Sequence, residues 1–262
     1  MREEKFIHKG FKMKFYIDDK EIKTINKNSL ITGGINLVSR SASFSYLYMN
    51  DFGLPYAQYK SSVLIKNDEN ETIFRGFIVK LNYSADKKTI EVEAKDPLYF
   101  LLETKIKGRY KGNLIQIMAE ILGGFNISFA LEGLFLDELN IISLGGLSAY
   151  DVIKIAVSKI FGDNFKLYLD SMLNLKILIP SILNSKAELI IGKNVISAEF
   201  AQSESDNVSK ITALNNDDVI SGSIVKVVEQ NKGIEGYFLV ESDVHNYSSI
   251  NTMTLNLKEW RV

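Results

Sequence analysis

Residues 236–258, GYFLVESDVHNYSSINTMTLNLK, decide the fold class of this chain. Two runs of strand-forming residues, 236–245 and 252–258, flank the polar loop 246–251, a pattern that predicts a β-hairpin. In the second run Met253, Leu255 and Leu257 alternate with polar residues, so they share one face of the strand. That face must be covered, and the segment therefore predicts a packed β-structure.

The N-terminal third shows the same kind of pattern. Residues 11–18 and 22–25 flank a short turn at Asp19-Lys20, and the apolar runs 63–65 and 73–79 flank the polar turn 67–70. Residues 89–95 alternate apolar and charged side chains, which is typical of a half-buried antiparallel strand. We expect this third to consist of strands.

The middle of the chain changes to a helical period. Asp96-Pro97, Asn113 and Ser148 each stand where a helix N-terminus is expected, because they offer a side-chain acceptor or a preset first turn. Strands return at 165–169 and 173–179, whereas the apolar but irregular segment 125–147 is given no assignment. Helices therefore interrupt a β-rich chain.

These patterns predict a mainly β protein with a helical insertion, an α+β class. We expect a first β-domain from residues 1–96 plus 165–195, a helical insertion at 97–164, and a second β-domain at 196–262. No internal repeat is visible in the letters of the sequence. Two β-units could still share a shape.

Composition disfavours several functional classes. Thirty-one basic and 32 acidic residues leave a net charge of −1, so no excess field attracts nucleic acid, and specific nucleic-acid binding is not expected. Cysteine is absent, which excludes disulfides and thiolate chemistry and fits synthesis in a reducing cytoplasm. No run approaches the roughly 18 apolar residues of a membrane span, and neither membrane insertion nor a secretory leader is expected.

No catalytic, cofactor or metal site is predicted. The two histidines, His8 and His245, lie far apart in sequence, and Asp243 beside His245 lacks the further ligands of a metal site. A catalytic triad could be drawn through Asp243 and His245, but residues two apart on a strand share a face, so we interpret His245 as a polar residue at a strand end or an interface. The adjacent acids Glu3-Glu4, Asp137-Glu138 and Asp217-Asp218 are interpreted as solvated loops, and the pairs Gly33-Gly34, Gly123-Gly124 and Gly145-Gly146 as turns or helix ends.

Two stretches resemble a known family. Residues 73–79 followed by 89–101 are similar to the pattern F-x-G-x-I … I-x-V-x-A-x-D-x-L-x-Y-x-L of phage contractile-tail baseplate hub proteins in the PBSX-like prophage and R-type bacteriocin group. Residues 237–240, His245 and 252–255 resemble that family's closing F-x-V … H … T-M-x-L strand pair. Family members often carry a second histidine before the Thr-Met pair, where this chain has Asn251.

The resemblance implies two tail-tube-like antiparallel β-barrel domains and a non-enzymatic structural hub. The implied hub is a homotrimer that joins the hexameric tail tube to the trimeric central spike, in a phage tail or bacteriocin particle released by lysis. The implied partners are the tail tube protein, the central spike protein, a LysM-type hub-associated protein, the tape measure protein and the baseplate wedge proteins. The candidate subunit-interface residues are Tyr237, Phe238, Val240, His245, Tyr247, Met253 and Leu255.

Two other functions stay open at this point. A peptidoglycan-degrading tail lysin would need a cleft with convergent acids or a histidine-centred metal site. A glycan-binding or receptor-binding β-sandwich would use an exposed aromatic cluster such as Tyr46, Tyr48 and Tyr56. The wider set with Phe52 and Tyr59 lacks the interleaved Arg or Lys of a nucleic-acid stacking platform and is interpreted as core or interface.

Overall fold

The computed structural model describes residues 13–25, 29–34, 37–47, 57–84, 86, 88–125, 127–129, 131, 137–181, 185–202, 207–229, 234–247 and 251–260. Strands dominate and helices are few, which confirms the predicted mainly β class with a helical segment. None of the helices within these residues is long and apolar enough to cross a membrane.

The N-terminal β-unit holds seven strands: β1 (Lys14–Ile17), β2 (Lys20–Ile22), β3 (Ser29–Gly34), β4 (Ser41–Leu47), β5 (Ser62–Lys66), β6 (Thr72–Ser84) and β7 (Thr89–Lys95). They pair in the order β3-β4-β7-β6-β5-β1-β2, and an isolated bridge between Ile25 and Tyr46 brings the chain after β2 back to β4. The strands thereby enclose one core, which includes Phe15, Phe44 and Tyr46. The predicted hairpins are confirmed, although the first turn lies at Asp18-Asp19, one residue before its predicted place, with both residues at positive φ.

The described residues in the middle of the chain form three α-helices, a 3₁₀ turn at Gly123–Phe125 and five strands: α1 (Leu98–Glu103), β8 (Lys105–Gly112), α2 (Leu114–Leu122), β9 (Ser128–Phe129), β10 (Leu139–Ser148), α3 (Ala149–Phe161), β11 (Lys166–Leu169) and β12 (Asn174–Leu178). The predicted helix starts are confirmed. Asp96 accepts a hydrogen bond from the backbone N–H of Leu98, and Asn113 and Ser148 each form a capping box with the residue three positions on. Local side-chain chemistry therefore fixes where these helices begin.

The segment left unassigned, 125–147, contributes β9 and most of β10. β10 pairs antiparallel with β8, a strand that the sequence did not indicate. Together they form a two-stranded ribbon that packs on the helices, with Tyr110 and Ile141 buried in the helical core.

The C-terminal β-unit holds six strands: β13 (Ala187–Ile190), β14 (Val195–Gln202), β15 (Asn207–Leu214), β16 (Ile224–Glu229), β17 (Ile234–Tyr247) and β18 (Thr252–Glu259). The decisive hairpin, β17 with β18, is confirmed. β16 begins at Ile224, because residues 220–223 form a turn in which the backbone N–H of Ser223 donates to the carbonyl oxygen of Ile220. β13 and β16 run parallel, whereas the other strand pairs within this unit are antiparallel.

The packing groups residues 165–195 differently from the expected first domain. β11 and β12 pair with each other and with β9, and Leu167, Leu169 and Leu175 lie in the same core as the helices. β13 pairs with β16 in the C-terminal unit. The predicted division at residues 1–96 plus 165–195, 97–164 and 196–262 thus differs from the grouping of the hydrophobic cores, and domain boundaries stay a prediction.

Candidate functional site: the seam between two matching modules

Two five-strand modules in this chain share one strand order. The N-module is β3–β7 and the C-module is β14–β18. In each, the first strand pairs with the second, the second with the fifth, the fifth with the fourth and the fourth with the third. The chain therefore contains the same β-topology twice.

The two modules also match in register. In the N-module Phe44 of the second strand pairs with Val92 of the fifth, and in the C-module Ile211 pairs with Leu255 at the equivalent position. The other pairs between the second and fifth strands correspond one to one between the two modules. The long fourth strand is irregular at equivalent places, between Ile78 and Lys80 in β6 and between Val240 and Ser242 in β17. A shared bulge in the same register indicates one module built twice, since bulges are specific features of a strand pair.

The modules join edge to edge within the chain. β3, the first strand of the N-module, pairs antiparallel with the second half of β17, the fourth strand of the C-module. Gly33 lies opposite Asp243, and Ile31 lies opposite His245. We call this strand pair the seam, and it makes one continuous sheet of the two modules.

A carboxylate is fully buried on the seam. Asp243 has no exposed surface, and its Oδ1 accepts a hydrogen bond of 2.7 Å from the backbone N–H of Ser221. Its Oδ2 lies 3.8 Å from a guanidinium nitrogen of Arg40 and 3.4 Å from Nε2 of His245. Burial opposes ionisation, but the contact with His245 and the charge of Arg40 outweigh it and lower the pKa of Asp243 to about 2.

Lys166 brings the helical part of the chain to the same place. Its Nζ donates to the carbonyl oxygen of Gly34, at 3.0 Å, and contacts the hydroxyl of Ser221. Burial lowers the pKa of Lys166 to about 8, with Asp243 acting in the opposite direction. One ammonium group thus binds the N-module and a loop of the C-module together.

Asp96 completes a group of four ionisable residues, of which Arg40 is half-buried and the other three are buried. It follows β7, and its Oδ2 accepts a 2.9 Å hydrogen bond from the backbone N–H of Arg40. Burial raises the pKa of Asp96 to about 7, although the hydrogen bond and charge of Arg40 act against this. We call Arg40, Asp96, Lys166 and Asp243 the charged junction. It draws on both modules and on β11, and therefore fixes all three parts at one point.

His245 holds the loop that precedes β16. Its Nδ1 lies 2.6 Å from Oδ1 of Asn215 and its Nε2 lies 3.0 Å from the carbonyl oxygen of Val219. The amide nitrogen of Asn215 donates to Asp217, which orients the amide oxygen toward the ring. Tyr247 donates to the same carboxylate at 2.6 Å, and burial together with Asp217 raises the pKa of Tyr247. Asp243, His245 and Tyr247 thus act as a packed polar row along β17.

A cleft of about 740 Å³ opens beside the junction, between the N-module, the β11–β12 turn and the loop before β16. Both positive and negative side chains line this cleft, among them Arg75, Asp170, Lys186 and Asp218. Hydrogen bonds from Asn174 and the backbone lower the pKa of Asp170 against the opposing effect of burial. Among the residues that the structure describes, no group of three or more His, Cys, Asp or Glu side chains is placed to hold a metal ion.

The seven candidate interface residues lie mostly inside the chain. Tyr237 is half-buried, and the other six are buried: Phe238, Val240, His245, Tyr247, Met253 and Leu255. The hairpin is central in the sheet, because β15 flanks β18 while β3 and β16 flank β17. The contact of these strands with another subunit stays a prediction, and their buried side chains serve the chain's own cores.

Other sequence candidates are scattered. Tyr46 is fully buried in the N-terminal core, whereas Tyr59 is exposed, so these two do not form a common aromatic surface. Asp217 is engaged by Asn215 and Tyr247, and Glu138 pairs with Lys111 at 3.0 Å. His8, Glu3, Glu4, Tyr48, Phe52 and Tyr56 lie outside the described residues.

Sequence reasoning missed the charged junction. Its one visible signal is Lys166, a lysine within the apolar run Phe165-Lys166-Leu167-Tyr168-Leu169, where an exposed strand would show regular alternation. Arg40 and Asp96 meet through the pairing of β4 with β7, and Asp243 reaches them only across the seam.

Comparisons with known proteins agree on the fold. A family model described as YQBQ-like matches residues 201–258, which is less than half of the chain. A search of curated protein sequences finds no match. The 43 kDa tail protein of prophage MuSo2 from Shewanella oneidensis superimposes with a TM-score of 0.77 at 13% identity, over 94% of this chain and 97% of that one.

Two further solved structures are similar. A tail protein from Neisseria meningitidis MC58 matches with a TM-score of 0.74 at 12% identity, over 95% of this chain and 96% of that one. An E. coli component of the type VI secretion system, described as structurally similar to the T4 bacteriophage tail proteins gp27 and gp5, matches with a TM-score of 0.67 at 12% identity, over 94% of this chain and 77% of that one. At these identities the likeness establishes a shared fold, that of phage tail proteins.

Proposed function

We propose that this chain is a structural, non-enzymatic baseplate hub of a contractile tail or phage-like bacteriocin, of the PBSX-like group suggested by the sequence. Three copies form a ring that adapts a hexameric tail tube to a trimeric central spike. The observation that carries the proposal is the register-matched pair of modules in one chain, joined by the seam.

Symmetry is the physical basis of this role. The tube has six subunits around its axis and the spike has three. A ring that joins them must therefore present six similar surfaces to the tube while it is made of three chains. Two copies of one module in each chain satisfy this requirement, since three chains carry six modules. The charged junction connects the two modules of one chain, because Arg40 and Lys166 each contact groups from both modules.

The proposed partners follow from this position. The ring contacts the tail tube protein on one face and the central spike protein on the other, with a LysM-type hub-associated protein, the tape measure protein and baseplate wedge proteins around it. The fold shared with prophage tail proteins and with a type VI secretion component supports this placement. The protein is made in the bacterial cytoplasm and assembled into the particle.

The proposal is tested by the mass of the assembled protein under native conditions. We expect a species of three chains, held by interfaces on the order of 2,000 Å² or more each. A chain that stays monomeric when concentrated and when mixed with spike protein contradicts the hub. Clearing of peptidoglycan in a zymogram would instead favour a tail lysin, and binding of the monomer to a glycan array would favour a receptor-binding module.

A further inference from the structure

Each strand of the seam has an equivalent strand in the other module, and these two equivalent strands do not pair with each other within the chain. Within the chain, the first strand of the N-module (β3) pairs with the second half of the fourth strand of the C-module (β17). The equivalent strands with the modules exchanged are β14 and the second half of β6. Because the modules match in register, the residues that would meet can be read directly from the seam.

β14 presents an edge. Over residues 197–202 its pairing within the described part of the chain is with β15, on one side. Its equivalent, β3, has β4 on that side and β17 on the other. The edge of β14 that corresponds to the seam therefore holds no described strand.

The second half of β6 is the other counterpart. β5 pairs with β6 from Thr72 to Phe77, and the described pairing of Lys80–Ser84 is with β7. In β17 the equivalent residues begin at Ser242, and these pair with both β18 and β3. The position on β6 that corresponds to β3 is thus the place where a β14 strand would fit.

Exposure of equivalent side chains supports the match. At the seam Ile31 lies opposite His245, and these residues are 1% and 0% exposed. Phe200 is equivalent to Ile31, since each pairs with the same position of the second strand, and Tyr83 is equivalent to His245 by the shared register of the fourth and fifth strands. Phe200 is 40% exposed and Tyr83 is 54% exposed, two of the large apolar side chains at the surface. Phe200 and Tyr83 are thus far more exposed than their seam counterparts, although the hydroxyl of Tyr83 donates to the carbonyl oxygen of Ala57 at 3.0 Å.

We propose that β14 of one copy pairs antiparallel with residues Leu81–Ser84 of the next copy, in the register of the seam. Phe200 then lies opposite Tyr83, and Glu199 lies opposite Ser84. This inference rests on the proposed function, because a ring of three chains repeats the contact three times between chains and three times within them. Such a head-to-tail contact closes into a ring and leaves neither strand edge open.

The contact between copies lacks the buried carboxylate of the seam. Leu81 stands in β6 where Asp243 stands in β17, and it packs partly against the N-terminal core. The charged junction is therefore not repeated between copies. Apolar side chains from both strands supply the association instead, which suits an interface that forms after each chain has folded.

Disulfide trapping tests the register. The chain has no cysteine, so a variant with Tyr83→Cys and Phe200→Cys can cross-link only through the introduced thiols. Residues directly opposite on antiparallel strands have Cα atoms about 4.5–5.5 Å apart, within the range of a disulfide. The matched control, Tyr83→Cys with Ala198→Cys, keeps the same strands and the same face but moves the thiol two residues away, roughly 7–8 Å.

We expect diamide oxidation of the first variant to give covalent dimers and trimers that reductant dissolves, several-fold more than in the control. Ser84→Cys with Glu199→Cys probes the opposite face in the same register and replaces the first variant if circular dichroism shows that it does not fold. Phe200→Asp should lower the trimer fraction, whereas Met172→Asp, at a 77% exposed side chain in the β11–β12 turn, should leave it unchanged.

The outcomes separate the two proposals. If wild-type protein forms trimers but the control cross-links as well as the in-register pairs, the strand register is wrong and the hub stands. If wild-type protein forms no trimer and neither in-register pair cross-links at any concentration, both the register and the proposed function are wrong.

Discussion

Replacing Gly33 by alanine tests whether the seam is as closely packed as its residues indicate. A Cβ at this position would lie 2.7 Å from Oδ1 of Asp243, closer than real Cβ atoms come to other heavy atoms. The carboxylate has little freedom to withdraw, because the same oxygen accepts a 2.7 Å hydrogen bond from the backbone N–H of Ser221. The two strands must therefore separate, or the hydrogen bond must lengthen.

The cost follows from the geometry. Restoring an ordinary contact of about 3.4 Å requires a shift of about 0.7 Å, and such overpacking of a buried site costs about 1–3 kcal/mol. Replacement of glycine also lowers the entropy of the unfolded chain, which returns about 0.4–1 kcal/mol. We expect Gly33→Ala to lower the free energy of unfolding by about 1–2 kcal/mol.

Gly34→Ala is the matched control. Its Cβ would meet Leu37 at 3.0 Å, but Leu37 is a 54% exposed side chain that can rotate into solvent. Its stability should stay within about 0.5 kcal/mol of wild type. Urea unfolding followed by circular dichroism and by the fluorescence of the single tryptophan, Trp260, measures both variants.

A double-mutant cycle isolates the contact. Asp243→Ser removes the carboxylate and is itself costly, by about 3–5 kcal/mol, because Arg40 and Lys166 lose their counter-ion. On that background Gly33→Ala should cost almost nothing. Equal effects of Gly33→Ala with and without Asp243, or equal effects of the two glycine substitutions, would refute the reasoning.

Three further predictions concern the junction and a helix start. Asp96→Asn should remove a pH dependence of the stability. The pKa of Asp96 is about 7 in the folded chain and 3.8 in the unfolded chain, so the wild type loses up to about 4 kcal/mol of its free energy of unfolding as the pH rises from 4 to 7. Urea titrations in which the variant shows the same loss would contradict this. The free energy of unfolding of the wild type should rise by roughly 3 kcal/mol between pH 8 and 10.5, because the pKa of Lys166 is about 8 in the folded chain and 10.5 in the unfolded chain. Lys166→Met should abolish this rise. An unchanged rise in the thermal melts of the variant would count against it. Ser148→Ala should cost about 1 kcal/mol by breaking the capping box with Asp151, and a neutral effect on chemical unfolding would disagree.

Local signals in the sequence predicted much of the fold. The terminal hairpin, the β5–β6 hairpin and the three helix starts were found because turn residues and caps lie within a few positions of the elements they define. β8 was not predicted, because its inward-facing positions are Ile106, Gly108, Tyr110 and Gly112. The two glycines leave too few apolar side chains for a recognisable strand pattern. The parallel pairing of β13 with β16 has no local signal at all.

The module match could not be seen in the letters. The fifth strand is TIEVEAK (89–95) in the N-module and TMTLNLK (252–258) in the C-module. The two strands share the alternation of apolar and polar side chains, but most of their residue types differ. Alternation is common to many strands, so it identifies no repeat. Register, bulge and strand order identify the repeat, and these depend on pairing between distant segments.

The candidate interface residues show the same limit. Met253 and Leu255 carry a strong strand pattern, which indicates burial against something but not against what. The structure buries them inside the chain, while Phe200 and Tyr83, which stand in no conspicuous pattern, lie at the surface. Which strands are central and which are edges is a property of topology.

The arrangement of modules in the assembled ring tests the account most directly. Electron-microscopy images of the assembled protein, viewed along its axis, should show three chains and six similar lobes, with β14 of each chain against β6 of the next. A ring with only three equivalent lobes, or an assembly in which β14 stays on the outside, would contradict it.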